Sequence, residues 1–169
     1  MDRFEGLLIE NIPRLRRYAW ALTGDNDHAD DLVQDCLARA VSRKRLWIST
    51  KGMRPWLFTI LRNLHRNARS RSAREPTLTS IDDQKEIFSG QHSADGLQKL
   101  AELDTALQNL SVEHREVLLL VGLEQLSYKE TASLLDLPLG TVMSRLSRAR
   151  GQLRGLLAGK PSAVVKQIK

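Results

Sequence analysis

A stretch near the carboxyl-terminal end of the chain places hydroxyl and guanidinium groups at spacings that suit contact with DNA. Ser127 and Glu130 are spaced as a capping box, which predicts a short helix that begins at Ser127 and ends near Leu135, before Pro138. A second helix is predicted over residues 139–157. Its apolar stripe consists of Val142, Leu146, Ala149, Leu153 and Leu157.

The other face of this second helix is polar and basic. It carries Ser144, Arg145, Ser147, Arg148 and Arg154. Such hydroxyls and guanidinium groups hydrogen-bond to phosphates and base edges. Two short helices joined by a tight turn, with this kind of face on the second, are typical of a helix-turn-helix that sets its recognition helix in the major groove. The alternative is an ordinary helical hairpin with a solvated basic face.

No constellation in the sequence predicts an enzyme or a metal site. The four histidines are His28, His65, His92 and His114. They are scattered, no H-x-x-x-H or C-x-x-C pair occurs, and no Gly-rich phosphate loop follows a strand. Asp30, Asp31 and Asp35 lack a second set of ligands nearby. We therefore expect no catalytic residue, no metal, no cofactor and no small-molecule substrate.

Charge alternates along the 169-residue chain, whose formal net charge is +6. Residues 1–36 contain four basic and eight acidic side chains, and residues 37–74 contain eleven basic and no acidic ones. Residues 95–140 contain three basic and eight acidic side chains, and residues 141–169 contain seven basic and no acidic ones. Each half is therefore an acidic module followed by a basic one. A basic run of this length suits a polyanionic partner.

The amino-terminal half is predicted to form three helices. Helical periodicity runs from about Phe4 to Leu22, and a second helix, capped by Asn26 or Asp27, continues to about Arg43. A loop over residues 47–54 ends at Pro55, the predicted first residue of the third helix. The inward stripe of that helix comprises Leu57, Ile60, Leu61, Leu64 and Ala68. Its outward arginines have no carboxylate at i+4, although a solvated basic face remains the alternative.

The carboxyl-terminal half is predicted to form four helices over residues 95–158. Leu97, Leu100, Leu103, Leu107 and Leu110 define the first of them. Ser111 caps the second, which runs through Val117–Val121, and the helix-turn-helix supplies the other two. Residues 71–94 lack sustained periodicity and are predicted to be a mobile linker, in which a short helix over about 81–88 stays open. Residues 159–169 form a basic tail, and residues 1–70 the other domain. The fold class is all-α.

The sequence predicts neither export nor membrane insertion. The chain start leads directly into a mixed helix, and the longest apolar run, Val117–Val121, is far below the roughly 18 residues that span a bilayer. Cys36 is the single cysteine, so no disulfide framework forms, which fits a reducing cytoplasm. We expect Cys36 to pack as a small apolar side chain.

Three stretches, in order and spacing, resemble bacterial sigma factors of the extracytoplasmic function type, group IV of the sigma-70 family. They are residues 29–35 (ADDLVQD), 54–63 (RPWLFTILRN) and 137–146 (LPLGTVMSRL). The likeness covers about residues 4–69 and 95–157. It implies a three-helix sigma-2 domain and a four-helix sigma-4 domain. It also implies an RNA polymerase specificity subunit that binds core polymerase and promoter DNA, serves a stress or envelope response, and is held by an anti-sigma factor.

The resemblance also implies residue roles. Core polymerase would be bound by the acidic face comprising Asp30, Asp31, Gln34 and Asp35. The alternative for Asp30 and, in part, Asp31 is stabilisation of the helix amino terminus by carboxylates. The promoter's minus-ten element would be bound by Trp47, Lys51, Arg62, Asn63, Arg66 and Arg69. Asn63 offers both a donor and an acceptor to a base edge, and the arginines suit phosphates. Trp47 could equally pack or stack on a base, whereas Trp56 and Phe58 are expected in the core.

The minus-thirty-five element would be bound by the second helix of the helix-turn-helix. Its implied contact residues are Thr141, Met143, Ser144, Arg145, Ser147 and Arg148. Met143 departs from the resemblance, since members of the family often carry lysine or arginine there, which leaves the base preference of this helix open.

Two other DNA-related functions compete with this interpretation. A sigma mimic, an adaptor that titrates an anti-sigma factor, need not keep a basic DNA face, yet Arg145, Arg148, Arg150 and Arg154 are present together with Asn63. A plain repressor or activator would leave the acidic helix of the first domain unexplained.

Overall fold

The computed structural model describes residues 1–74 and 93–159, and within these ranges it contains helices and no strand. The described residues divide into two compact units, one on each side of residues 75–92. We call residues 1–74 the amino-terminal unit and residues 93–159 the carboxyl-terminal unit. The all-α prediction is confirmed. The predicted linker helix over 81–88 and the basic tail from residue 160 onward lie outside the described residues.

The helix bounds follow the predicted pattern closely. In the amino-terminal unit they are α1 (Arg3–Thr23), α2 (Asn26–Ser42) and α3 (Met53–Ser72), with two short 3-10 turns, Lys44–Leu46 and Ser49–Lys51, between α2 and α3. In the carboxyl-terminal unit they are α4 (Ala94–Gln108), α5 (Val112–Leu118), α6 (Tyr128–Leu135) and α7 (Leu139–Leu157), with a π-helical turn, Leu119–Leu123, after α5.

Local side-chain chemistry sets the ends of α1 and α2. Asp2 and Glu5 form a capping box at the start of α1, and Gly24, with φ of 68°, ends that helix in the left-handed conformation. Asp25 caps α2 by accepting a hydrogen bond from the His28 N–H at 2.9 Å. The prediction of Asn26 or Asp27 as the cap was wrong, because Asp25 is already extended while both of those residues are helical.

The third helix begins earlier and ends later than predicted. It starts at Met53 rather than Pro55, because Gly52 adopts φ of 76° and turns the chain into the helix two residues before the proline. It continues to Ser72, past the predicted linker start at residue 71. Ala68 is exposed, so its predicted place in the inward stripe was wrong: this part of α3 extends beyond the helices it packs on.

The amino-terminal unit is a three-helix bundle with a packed core. Each of α1, α2 and α3 contacts the other two. Tyr18 on α1 and Phe58 on α3 are fully buried, and their rings meet edge to face with centroids 4.9 Å apart. Cys36 on α2 is buried as expected, and its Sγ donates to the Leu57 carbonyl at 3.5 Å.

The helix-turn-helix forms as its sequence predicts. Ser127 accepts from the Glu130 N–H at 3.0 Å while the Glu130 carboxylate accepts from the Ser127 N–H at 2.8 Å. Asp136 ends α6 with φ of 54°, a left-handed conformation that Asp tolerates better than most residues. Pro138 is the extended residue before α7, and its carbonyl accepts from the Thr141 N–H at 3.0 Å.

The carboxyl-terminal unit packs around α7, which contacts α4, α5 and α6. Val142, Leu146 and Ala149 are buried in that core. Leu157, which the sequence placed in the same stripe, is 49% exposed, so that prediction was wrong: the last turn of α7 borders an open groove against α4. Among the residues that the structure describes, no helix is long and apolar enough to cross a membrane.

Arg115 ties α5 to the end of α4. Its side chain is buried and donates hydrogen bonds to the carbonyls of Leu107 at 2.8 Å, Gln108 at 3.0 Å and Leu110 at 3.1 Å. The Leu107 carbonyl also accepts from the Leu110 N–H at 3.1 Å, and the guanidinium supplies donors to the Gln108 carbonyl at the end of α4 and to the Leu110 carbonyl just beyond it. No periodicity in the sequence signals this role.

Candidate functional site

The acidic residues predicted on α2 share one exposed face. Asp30, Asp31, Gln34 and Asp35 are all exposed, at helical spacings that bring them together, while Leu32, Val33 and Cys36 point into the bundle. The capping residue of α2 is Asp25, so Asp35 lies in the third turn, beyond the reach of the helix amino terminus. The position of Asp35 is therefore not explained by the helix dipole.

One member of this face already has a partner on the neighbouring helix. The Arg16 Nη2 on α1 lies 3.3 Å from the Asp30 Oδ1, and both side chains are about half exposed, at 56% and 52%. An exposed ion pair contributes at most about 1 kcal/mol to stability, yet it partly neutralises Asp30. The acidic character of the face therefore depends more on Asp31 and Asp35 than on Asp30.

The outward side of α3 is basic and polar. Asn63, Arg66 and Arg69 are exposed, and Arg62 is half-buried. Arg62, Arg66 and Arg69 recur at spacings of four and three, which places them in one stripe beside Asn63. An amide next to a row of guanidinium groups can hydrogen-bond a base edge while the row holds phosphates.

The loop that precedes α3 is packed on the start of α1. The Phe4 ring lies edge to face with Trp47, at 5.5 Å between centroids, and with Trp56, at 6.1 Å. The Lys44 Nζ lies 5.3 Å from the Phe4 ring centroid and forms an ion pair with Asp2. The hydrogen bond from the Lys44 ammonium to the Asp2 carboxylate lowers the pKa of Asp2 and raises the pKa of Lys44. The packing alternative for Trp47, which the sequence left open, is the arrangement seen in the free chain.

Two apolar residues of the same loop face outward. Leu46 and Ile48 flank Trp47 and are 67% and 54% exposed, and Lys51 nearby is exposed too. Sequence reasoning did not select Leu46 or Ile48. The signal that could have found them is the alternation of Leu46, Trp47 and Ile48, in which packing of the central indole turns both neighbours outward.

The outer side of α7 matches the predicted DNA-facing set. Met143, Ser144, Ser147 and Arg148 are exposed on one side, opposite the buried Val142, Leu146 and Ala149. Thr141 and Arg145 are half-buried at its edge. Ser144 Oγ donates to the Thr141 carbonyl at 3.1 Å, which leaves its lone pairs for an external donor. The structure therefore gathers all six predicted residues of this helix on or beside one surface.

The described parts of the chain, 1–74 and 93–159, bring together no group of three His, Cys, Asp or Glu side chains that could hold a metal ion. Burial raises the pKa of the Cys36 thiol to about 12, so this cysteine is a packed side chain rather than a nucleophile. The chemistry of the exposed faces is binding chemistry: carboxylates on α2, and guanidinium, amide and hydroxyl groups on α3 and α7.

Family models match both units. Residues 8–62 match the model described as the sigma2 domain of PhyR, and residues 100–153 match sigma-70, region 4. The first match spans the acidic face and ends at Arg62, and the second includes α6 and α7 as far as Leu153.

Curated relatives are similar over most of their length. The chain is 36% identical over 156 residues to the ECF RNA polymerase sigma factor EcfG of Rhodopseudomonas palustris, covering 92% of this chain and 86% of that one. It is 37% identical over 149 residues to the ECF RNA polymerase sigma factor SigL of Mycobacterium tuberculosis, covering 86% and 83%.

A solved structure is similar in fold as well as in sequence. It is the sigma factor RpoE in complex with the anti-sigma factor NepR from Bartonella quintana, with a TM-score of 0.79 and 33% identity. The alignment covers 94% of this chain and 98% of that one.

Proposed function

This chain belongs to the extracytoplasmic function RNA polymerase sigma factors of the sigma-70 family, and from that premise we propose which of its surfaces makes each contact. As a sigma factor it binds core RNA polymerase and promoter DNA and directs transcription initiation, and it is not an enzyme.

Core polymerase binds the exposed acidic face of α2. The support for this is that Asp31, Gln34 and Asp35 are exposed together in a helix whose other side is fully used for packing. Asp30 contributes less, because Arg16 already pairs with it. Charge complementarity of this kind speeds association and fixes orientation more than it adds affinity.

The minus-ten element binds the loop over residues 47–53 and the basic side of α3. Opening a duplex requires that unstacked bases be captured, and such bases are held by stacking and by hydrogen bonds to their freed edges. Asn63 supplies the edge contact, while Arg62, Arg66 and Arg69 hold phosphates. In the free chain the Trp47 ring packs on Phe4, so any base stacking by Trp47 uses the side of the indole away from Phe4.

The minus-thirty-five element binds α7. The single observation that carries this assignment is the exposed side comprising Met143, Ser144, Ser147 and Arg148, presented by a helix that follows a well-capped turn. Thr141 and Arg145 contact the backbone. Met143, 51% exposed, offers an apolar contact such as a thymine methyl group in place of the basic contact common in the family.

An anti-sigma factor is the proposed regulator, and a stress or envelope response the proposed setting. The support is that the similar RpoE of Bartonella quintana is solved with the anti-sigma factor NepR. The site of action is the cytoplasm, where core polymerase and promoter DNA are found. A sigma mimic is the second candidate, favoured by the match of residues 8–62 to the sigma2 domain of PhyR. The retained DNA-facing side of α7 weighs against it.

Pull-down of core polymerase, followed by footprinting of the resulting complex, tests the proposal. We expect core polymerase to be retained and both promoter elements to be protected. A chain that retains an anti-sigma factor but protects no DNA would be a sigma mimic. A chain that protects DNA without retaining polymerase would be a plain repressor or activator.

A further inference from the structure

The loop between α2 and α3, residues 43–52, has little regular structure of its own. Its backbone hydrogen bonds, such as that from the Leu46 N–H to the Arg43 carbonyl at 2.8 Å and that from the Lys51 N–H to the Ile48 carbonyl at 3.0 Å, join nearby residues of the loop. Two single 3-10 turns set no orientation relative to the bundle. The orientation of the loop therefore depends on what its side chains contact.

Those contacts converge on the first turn of α1. Phe4 is 4% exposed and packs on Trp47 from the loop and on Trp56 from α3. Lys44 reaches back both to the Phe4 ring and to the Asp2 carboxylate. Two residues of the loop are thus held at the start of α1: Lys44 by Asp2 and Phe4, and Trp47 by Phe4. We call Asp2, Phe4, Lys44 and Trp47 the α1 latch.

The α1 latch has a direct effect on the exposed residues of the loop. Packing of Trp47 buries its indole Nε1, which finds no hydrogen-bond partner among the residues that the structure describes. That donor is therefore turned away from the surface that DNA would approach. Leu46 and Ile48, on either side, are turned outward instead. Release of Trp47 would change the direction of both neighbours at once.

We propose that the α1 latch positions the loop over residues 43–52, so that Phe4, which is buried and cannot contact DNA, helps to set which base of the minus-ten element this loop accepts. The inference rests on the proposed function, in which this loop binds the minus-ten element. Phe4 is a positioning residue, and Leu46 and Ile48 are the side chains whose placement it controls. A binding surface selects one ligand only when its contact groups are held in place by the residues behind them.

The test measures base preference separately from stability. Run-off transcription by the complete chain with core polymerase is compared across templates that carry each of the four base pairs at each minus-ten position. The readout is the ratio of yields between the best and worst base pair. Phe4→Ala removes the edge-to-face contacts of the ring, and this should lower the ratio of best to worst yield about three- to tenfold. Phe4→Leu should narrow it similarly while unfolding at a temperature closer to wild type, because leucine restores apolar burial but not the ring contacts.

Two further variants separate the parts of the latch. Asp2→Asn keeps an oxygen that can cap α1 and removes the charge paired with Lys44, and we expect a smaller narrowing, about twofold. Leu15→Ala is the matched control: Leu15 is fully buried on the same helix, about three turns further on. It should lower the unfolding temperature and leave the base-pair ratio unchanged.

Each outcome decides the proposal. If Phe4→Ala and Phe4→Leu keep the wild-type ratio, or lose yield equally on all templates as Leu15→Ala does, Phe4 has a merely structural role and the inference is wrong. Ile48→Ala separates this failure from failure of the proposed function. If Ile48→Ala alters the ratio and the Phe4 variants do not, the loop binds the minus-ten element without help from the latch. If neither alters it, the assignment of the loop falls as well.

Discussion

Replacement of Arg115 by methionine should destabilise the carboxyl-terminal unit selectively. Methionine keeps an unbranched apolar stem and removes the hydrogen bonds to the carbonyls of Leu107, Gln108 and Leu110. The acceptors on Leu107 and Leu110 are in buried bonds, whereas the Gln108 carbonyl is only part-buried, so water can replace the guanidinium there. The Leu107 carbonyl keeps the Leu110 N–H as a donor at 3.1 Å, so the change acts mainly on the Leu110 carbonyl. Depriving that buried carbonyl of its donor and losing bonds from a charged group should cost about 2 to 4 kcal/mol.

That cost is large relative to the stability of so small a unit, since domains are stable by only about 5 to 15 kcal/mol. Native-state amide hydrogen exchange of the complete chain measures it by region. A loss of about 3 kcal/mol should lower protection of core amides in α5 and α7 by about a hundredfold or more. Protection in α1, α2 and α3 should stay unchanged, because the described units have separate cores.

Arg150→Met is the matched control, because Arg150 is exposed on α7 and the chemical change is the same. It should alter protection less than threefold, in line with other surface substitutions. Equal, small effects of Arg115→Met and Arg150→Met would show that the Arg115 hydrogen bonds do not stabilise the carboxyl-terminal unit. A loss of protection spread evenly over both units would show that the effect is not selective.

Four further results are expected. Arg148→Ala should weaken promoter binding by about 1 to 3 kcal/mol, measured as lost footprint protection at the minus-thirty-five element. Asn63→Ala should spare core polymerase binding yet reduce permanganate reactivity at the start site, because a freed base edge loses its partner. Asp35→Lys should weaken core polymerase binding in titration and leave DNA contacts intact, because it reverses the charge of the α2 face. Cys36, with its pKa raised to about 12, should resist Ellman's reagent at pH 8 until the chain is denatured.

Arg39→Ala, an exposed arginine of α2, should leave the minus-thirty-five footprint unchanged, and a wild-type footprint for Arg148→Ala would remove that residue from the interface. Wild-type permanganate reactivity would count against Asn63, and unchanged affinity for core polymerase would count against Asp35. Rapid labelling of Cys36 in the folded chain would show that the core of the amino-terminal unit opens readily.

Periodic patterns in the sequence were enough to predict the helices and the exposed faces. The capping box at Ser127 and Glu130 and the stripe from Val142 to Ala149 are local patterns, and the structure reproduces both. The same holds for the acidic face of α2, because helical spacing alone decides which residues share a side.

Features that depend on distant contacts could not be predicted. The roles of Arg115 and Phe4 arise from residues that tertiary packing brings close, and neither leaves a periodic trace in the sequence. The start of α3 was misplaced for a related reason: Gly52 and Pro55 both favour a helix start, and only the folded backbone shows that Gly52 decides it. Leu157 continues an apolar stripe into the last turn of α7, where an open groove beside α4 leaves it 49% exposed.

Run-off transcription with purified core polymerase decides whether this chain directs initiation through both promoter elements. We expect the purified chain, added to core polymerase alone, to start RNA synthesis at a defined position on a promoter from its own genome. Substitution of either the minus-ten or the minus-thirty-five element should lower the yield. A chain that binds core polymerase but initiates from no natural template would not be a specificity subunit.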